Sequence, residues 1–240
     1  MIIYAVKFTY KLNKENVVTD TKTLCPIDGV KKRTIVLIDK TDTFTPLRAT
    51  SIRTKIEKIK YNLEKYENIQ IFTVGDISRN IRKPLINVCN PGEGKDANFL
   101  YQCPACIQNV WQNDFSEKVD IIVDNLATPE GSEKKQSPIF ESIESISVTS
   151  LDSSIATKFY IFSDFIQNVS NFSQYTDPYP YNFEKFMQTE YGKKSKTELH
   201  QATIYMYVFK ERFLRKELDF WNNWFYNSNG SVHPNWEPVP

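Results

Sequence analysis

Residues Thr34–Asp39, which read TIVLID, decide the fold class of this chain. Their first five members form a continuous run of apolar and β-branched side chains that stops at Asp39. Such a run is typical of a central strand that helices cover on both faces of a mostly parallel sheet. The neighbouring sequence therefore has to supply those helices and further strands.

A helix and a second strand follow this first strand. Thr45 and Pro46 are typical of a helix start, because threonine caps free N–H groups and proline fits the first helical turn. Apolar residues then recur three and four positions apart, the spacing of a buried helix face: Ile52, Ile56, Ile59, Leu63 and Tyr66. Ile69–Val74 predicts the second strand and completes a strand–helix–strand unit.

The rest of the chain repeats these elements. Further strands are predicted over Ile2–Tyr10, Leu85–Val88, Lys158–Ser163 and Ala202–Phe209, and helices over Phe115–Leu126, after Ser137-Pro138 and over Leu214–Phe225. The pattern predicts one α/β domain with a doubly wound, mostly parallel central sheet and helices on both faces. We expect residues 1–30 to form an N-terminal strand and turn extension, residues 33–225 the core and residues 226–240 a C-terminal tail.

Composition excludes several classes of function. The 240 residues carry 30 Lys and Arg against 29 Asp and Glu, a net charge of +1. A nucleic-acid binder needs a strongly basic face to neutralise phosphates, so we expect no nucleic-acid partner. The apolar start, Met1–Val6, is too short for the core of a signal peptide or for a membrane span. These features predict a cytoplasmic protein with no membrane contact.

Four cysteines leave more than one interpretation open. Cys103 and Cys106 form a C-x2-C pair, which with Cys25 and Cys89 can supply four thiolates to Zn²⁺. A structural zinc site normally has two such pairs, so we expect no zinc at Cys103 and Cys106 and predict reduced thiols instead. A thioredoxin-like redox role needs a strand-to-helix turn that this irregular segment does not supply.

Two of the predicted buried strands end in aspartate, at Asp39 and Asp164. Ligands of open parallel sheets bind beyond the carboxyl ends of the strands, so both carboxylates should face that crevice. If the chain after Asp39 is extended, the hydroxyls of Thr41 and Thr43 point to the same side as the carboxylate. Ser137, at a predicted helix start, adds another oxygen. This oxygen-only set suits Mg²⁺, with Mn²⁺ as the alternative ion.

The segment Asp39-Lys40-Thr41-Asp42-Thr43 resembles the aspartate-x-serine-x-serine motif that follows the first core strand in the von Willebrand factor A family. Ser137 matches the later threonine of that family, and Asp164 matches its second aspartate. The resemblance covers Arg33 to Phe225. It departs from the family at Phe165, where many relatives have glycine, and in the exchange of serine and threonine at the hydroxyl positions.

This resemblance implies a metal-ion-dependent adhesion site. Thr41, Thr43 and Ser137 would bind Mg²⁺ directly, while Asp39 and Asp164 would orient its waters. A Glu or Asp of another protein would complete the coordination shell. The resemblance further implies an intracellular adaptor within a multi-protein assembly rather than an enzyme, and family members of this kind frequently work beside an ATPase.

Two alternatives remain open at the same residues. A haloacid-dehalogenase-like phosphatase also starts with an apolar strand ending in a nucleophilic aspartate, here Asp39, and uses Mg²⁺. That chemistry requires a second aspartate two residues later, where this chain has Thr41. The other alternative is a metal-free scaffold, in which Asp39 and Asp164 only terminate strands.

Overall fold

The computed structural model describes residues 17–75, 83–98, 100, 102–128, 135–210 and 214–240. The strand predicted over Ile2–Tyr10 lies outside these residues. Within them, the strands are β1 (Lys32–Ile38), β2 (Asn68–Thr73), β3 (Ile86–Cys89), β4 (Ala156–Ser163), β5 (Asn168–Val169), β6 (Phe172–Ser173), β7 (Thr203–Val208), β8 (Ser231–Val232) and β9 (Glu237–Pro238).

The central sheet confirms the predicted α/β class. Its strand order is β3-β2-β1-β4-β7-β8, and β9 pairs with β7 beyond the end of β8. The pairs of β1 with β2 and β4, and of β4 with β7, are parallel, whereas β3 runs antiparallel to β2 at the edge. The TIVLID run thus lies in the middle of the sheet, as its uninterrupted apolar pattern predicts.

Helices cover both faces of this sheet. They are α1 (Pro46–Tyr61), α2 (Pro104–Asn109), α3 (Glu117–Leu126), α4 (Ile139–Ser150), α5 (Phe183–Gln188), α6 (Glu190–Ser195) and α7 (Arg215–Asn227). Successive β1 side chains point to opposite faces. Ile35 and Leu37 pack in the core formed with α4 and α7, and Val36 and Ile38 pack in the core formed with α1 and α3.

Most predicted elements are present, with shifted bounds. Helix α1 begins as predicted, because the hydroxyl of Thr45 accepts the N–H of Arg48 at 3.1 Å. It ends at Tyr61, so Leu63 and Tyr66 lie beyond it. The helix predicted from Phe115 instead starts at Pro104 and passes through a π-helical segment, Val110–Ser116, before α3.

The segment predicted as a C-terminal tail takes part in the sheet. Its strands β8 and β9 both pair in parallel with β7, and the side chain of Val239 is fully buried. Within the described ranges, no helix is both long enough and apolar enough to cross a membrane.

The expectation of reduced thiols is wrong for this structure. Cys25 is joined to Cys89, and Cys103 is joined to Cys106. The sulfurs are therefore used in two separate disulfides, which leaves no set of four thiolates for zinc. Cys25 lies before β1 and Cys89 ends the edge strand β3, a proximity that sequence spacing does not reveal.

Candidate functional site

The carboxylate of Asp39 is the centre of a hydrogen-bond network at the carboxyl end of β1. Asp39 is only 4% exposed, and its Oδ1 accepts the hydroxyl of Thr41 at 2.6 Å and the N–H of Thr41 at 3.1 Å. Its Oδ2 accepts the hydroxyls of Ser163 at 2.8 Å and Ser137 at 3.1 Å. Three hydroxyls from three distant parts of the chain therefore converge on one carboxylate.

Ser137 reaches this network without capping a helix, which corrects the sequence interpretation. Helix α4 begins at Ile139, and its first N–H groups are bonded by the side chain of Gln167, whose Oε1 accepts from Ile139 at 2.6 Å and from Phe140 at 3.0 Å. Ser137 is instead held by backbone hydrogen bonds to Asn168 in β5. Its hydroxyl is consequently free to point at Asp39.

Asp164 and Thr43 occupy different positions from those three hydroxyls. Asp164 follows β4 directly and is close enough to Asp39 for the two charges to interact. Thr43 lies exposed in the loop after β1, where the chain bends at Thr41 and Asp42 instead of continuing as an extended segment. Of the predicted set, Thr41 and Ser137 therefore contact Asp39 directly, and Asp164 lies near it.

Sequence reasoning missed Ser163. This residue is the last of β4, its side chain is fully buried, and its hydroxyl both donates to Asp39 and accepts the N–H of Phe165 at 2.9 Å. The available signal was its position immediately before Asp164 at the end of a predicted central strand. Ser163 therefore links the two aspartate-bearing strand ends.

Phe165, directly after Asp164, adopts a backbone conformation that is more usual for glycine. Its φ is +57°, a left-handed conformation that favours glycine. The side chain is buried, its ring lies 5.3 Å from that of Trp221, and its carbonyl accepts the indole N–H of Trp221 at 2.9 Å. Packing against α7 thus holds a backbone turn that a glycine would adopt without help.

Two carboxyl groups lie close together at the site, those of Asp39 and Asp164. Burial raises the pKa of Asp39. Burial, followed by the charge of Asp39, raises the pKa of Asp164 to about 7, with Lys210 acting in the opposite direction. The ion pairs formed by the described residues include neither aspartate. The two carboxyl groups therefore influence each other, and Lys210 partly offsets this effect at Asp164.

The donor set at this rim fits a hard divalent cation. Each hydroxyl that donates its hydrogen to Asp39 keeps lone pairs that can bind a metal, and the nearby carboxylates supply the compensating charge. Among the described residues, no three His, Cys, Asp or Glu side chains are grouped closely enough to hold a metal by themselves. A site here would thus depend on neutral hydroxyls together with Asp39 and Asp164.

One exposed aromatic residue lies at the same rim. Tyr175 follows β6 and is 66% exposed. Partial burial of its side chain, followed by the charges of Asp164, Asp42 and Asp39, raises the pKa of its phenol, which places it near the carboxylates. The rim therefore combines oxygen ligands with an accessible aromatic side chain.

Fold and site together define an α/β protein with a polar hydrogen-bond network at the carboxyl ends of its central strands. In comparisons with known proteins, no family model and no curated protein matches the chain.

Proposed function

We propose that this chain is a protein-interaction domain of the von Willebrand factor A type, with Mg²⁺ at the rim around Asp39. Thr41, Thr43 and Ser137 would bind the ion directly, and Asp39 and Asp164 would hold its waters. A partner protein would supply a Glu or Asp, within a multi-protein assembly in which the partner is an ATPase or is bound to one.

The observation that carries this proposal is the convergence of hydroxyls on a buried carboxylate. Asp39 receives three hydroxyl donors, from Thr41, Ser137 and Ser163, and none of the ion pairs among the described residues includes it. Together with the N–H of Thr41, these hydroxyls occupy both oxygens of the carboxylate, so each hydroxyl is held in a fixed orientation by Asp39. The hydroxyls keep the carboxylate in place and present lone pairs toward the crevice.

Protein residues fix the arrangement before any ligand arrives. Asp39 orients the hydroxyls of Thr41 and Ser137, and the backbone pairing of Ser137 with Asn168 keeps that loop at the rim. A bound divalent cation would supply an open coordination position for an external carboxylate. Because only hydroxyls and a few carboxylates surround it, the rim would leave enough positive charge to attract that group.

Tyr175 extends the proposed interaction surface beyond the ion. Exposed tyrosines near the centre of an interface often contribute more than their share of binding energy. We expect Tyr175→Ala to weaken partner binding about tenfold without changing Mg²⁺ affinity, since its phenol is not among the proposed ligands. Tyr226, which is 82% exposed on α7, provides the matched control.

The site is proposed to bind and not to catalyse. A phosphatase of the type considered above needs an acid two residues after the nucleophile, and in this structure Thr41 fills that position by donating to Asp39. Turnover of a generic phosphate ester with Mg²⁺, lost in Asp39→Asn, would overturn the binding proposal in favour of that enzyme.

A cytoplasmic location stays a prediction, and the paired cysteines count against it. Disulfides are rare in the cytosol and persist in oxidising compartments. Alkylation of free thiols during lysis of the host, followed by mass analysis, checks this point. Cys25 and Cys89 found alkylated would support the cytoplasm, whereas the intact disulfide would favour an oxidising compartment.

Mg²⁺ binding is the first experiment. Titration calorimetry of the full chain should detect one Mg²⁺ site, and Asp39→Ala should abolish it. Glu67→Gln changes a buried carboxylate at the opposite end of the sheet and should retain the site. Absence of Mg²⁺ and Mn²⁺ binding by the folded wild type would reject the metal centre and leave the metal-free scaffold.

Partner capture is the second experiment. The tagged chain, Asp39→Ala and Glu67→Gln are each incubated with host extract in Mg²⁺ and in EDTA, after circular dichroism confirms that both variants are folded. We expect one protein to be retained only with Mg²⁺ by the wild type and Glu67→Gln. Its binding must then be reproduced with the purified protein. Equal capture by all samples would contradict a metal-gated contact.

A further inference from the structure

The disulfide between Cys103 and Cys106 lies apart from the proposed metal centre. Both residues are exposed, in a Cys-Pro-Ala-Cys segment at the start of α2. Beneath them, the N–H of Gly94 donates to the side chain of Gln108 at 3.0 Å, and Gly94 packs so closely on Pro104 that a Cβ there would lie 2.6 Å from the Pro104 carbonyl oxygen. The segment is therefore anchored on its inner side while its sulfurs face solvent.

The two disulfides of this chain differ in what they hold together. Cys25 and Cys89 are 64 positions apart and join the segment before β1 to the edge of the sheet, with Cys89 fully buried. Cys103 and Cys106 are only 3 positions apart. Since the constraint that a disulfide places on the unfolded chain grows with loop length, the exposed pair contributes less to the fold than the buried one.

The surroundings also distinguish the two sulfurs of the exposed pair. The Sγ of Cys103 accepts the backbone N–H of Cys106 at 3.2 Å. A hydrogen bond of this kind stabilises a thiolate, so in the reduced form Cys103 should be the more acidic thiol. An accessible sulfur that receives such a hydrogen bond and has a second cysteine beside it is the arrangement of a nucleophile and its resolving partner.

We propose that Cys103 and Cys106 form a redox-active site that exchanges with the disulfides and thiols of other molecules. In the reduced state, the Cys103 thiolate attacks an external disulfide, forming a mixed disulfide and releasing one external thiolate. The Cys106 thiolate then attacks the Sγ of Cys103 and releases the second external thiolate. The two cysteines lose two electrons and two protons, and the external disulfide gains them as two thiols.

The site's substrate class is accordingly a small or protein disulfide, and the reverse reaction consumes a dithiol. The contacts of Gly94 with this segment keep the two cysteines near each other after reduction. Cys106 can therefore attack the mixed disulfide at Cys103 before an external thiol does. This inference does not depend on the proposed metal centre, which lies on different elements.

The first test compares how fast reduced glutathione reduces the two disulfides of the full chain. Alkylation and mass mapping follow both cysteine pairs in the same molecule. We expect Cys103–Cys106 to open at least about tenfold faster than Cys25–Cys89, because the exposed sulfurs are accessible to an attacking thiolate. Equal rates, or slower opening of the exposed pair, would overturn the proposal.

Trapping variants then test the assigned roles with oxidised glutathione as the probe. Cys106→Ser should accumulate a mixed disulfide at Cys103, about tenfold faster than the matched variant Cys103→Ser does at Cys106, because the residue 106 N–H still stabilises the Cys103 thiolate. Both changes are at exposed positions outside the cores, so folding should be retained and is checked by circular dichroism. Equal or reversed rates would contradict Cys103 as the nucleophile.

Discussion

Two buried carboxylates lie at opposite ends of the central strands, and they are balanced in different ways. Glu67, just before β2, is 1% exposed, accepts the hydroxyl of Thr34 at 2.7 Å and has the Nζ of Lys158 at 3.6 Å. Asp39, just after β1, is 4% exposed and accepts only neutral donors. The charge of Asp39 also raises the pKa of another carboxyl group, that of Asp164.

This difference separates a structural carboxylate from one suited to a ligand. A buried charge is normally paired, because burial without a partner costs free energy. Glu67 follows that rule with a cation that the chain itself provides. None of the ion pairs among the described residues includes Asp39, and burial raises its pKa, which favours the neutral carboxyl. Under the function proposed above, a divalent cation would stabilise the charged form. Uncompensated charge of this kind is typical of functional sites.

Asp39→Ala should produce the largest change in this comparison. Mg²⁺ at a hundred times its Kd should raise the free energy of unfolding of the wild type by about 2.7 kcal/mol, and the variant should lose this gain entirely. Urea denaturation in Mg²⁺ and in EDTA measures both values. If Mg²⁺ still stabilised Asp39→Ala, the ion would have to bind at a place other than Asp39.

Glu67→Gln should lower the free energy of unfolding by about 2 kcal/mol, because the amide cannot neutralise Lys158. The partial exposure of Lys158 limits this cost. The gain in the free energy of unfolding on adding Mg²⁺ should be the same as in the wild type, because Glu67 lies at the other end of the sheet from Asp39. Urea denaturation in Mg²⁺ and in EDTA tests this prediction. If Mg²⁺ no longer stabilised Glu67→Gln, the ion site would depend on Glu67 at the other end of the sheet.

Ser163→Ala should weaken Mg²⁺ affinity by about tenfold, because Asp39 loses one of the hydroxyls that orient it. Ser163 acts here as a positioning residue. Calorimetric titration provides the measurement, and Ser147→Ala, a change at another buried serine in α4, is the control. Equal Mg²⁺ affinities of Ser163→Ala and Ser147→Ala would contradict a role of Ser163 in positioning Asp39.

Asp164→Asn should change the free energy of unfolding least among these variants. Unlike Glu67→Gln, it should raise this free energy. In EDTA at about pH 8, where Asp164 is ionised, the variant should be more stable than the wild type by about 1 kcal/mol, because the cost of burying the charged carboxylate and its repulsion from Asp39 both disappear. The gain in the free energy of unfolding on adding Mg²⁺ should be smaller in Asp164→Asn than in the wild type. Lower stability in EDTA would assign Asp164 a structural role.

Local patterns predicted the fold well where the decisive interactions are local. The apolar run of β1 and the cap at Thr45 lie within a few residues of the elements that they specify. The start of α4 was predicted correctly, but the capping role given to Ser137 was wrong, because Gln167, a residue from beyond β4, accepts the first N–H groups of the helix. No pattern near Ser137 could reveal that distant amide.

The candidate site was predictable in part for the same reason. Asp39 and Asp164 were found because each ends a recognisable strand, whereas the bend at Thr41 and Asp42 that leaves Thr43 exposed depends on tertiary hydrogen bonding. The pairing of Cys25 with Cys89 requires that the segment before β1 reach the edge of the sheet. Spacing within the sequence contains no information about that contact.

That same segment has a consequence for self-association. Edge strands present free N–H and C=O groups onto which a strand from another molecule can be added. Here the N–H of Cys89, at the end of β3, donates to the carbonyl of Thr23 at 2.8 Å, and the disulfide to Cys25 keeps Thr23 in place. Reduction would release this cover and expose part of the β3 edge, so the oxidised chain should resist aggregation better than the reduced one.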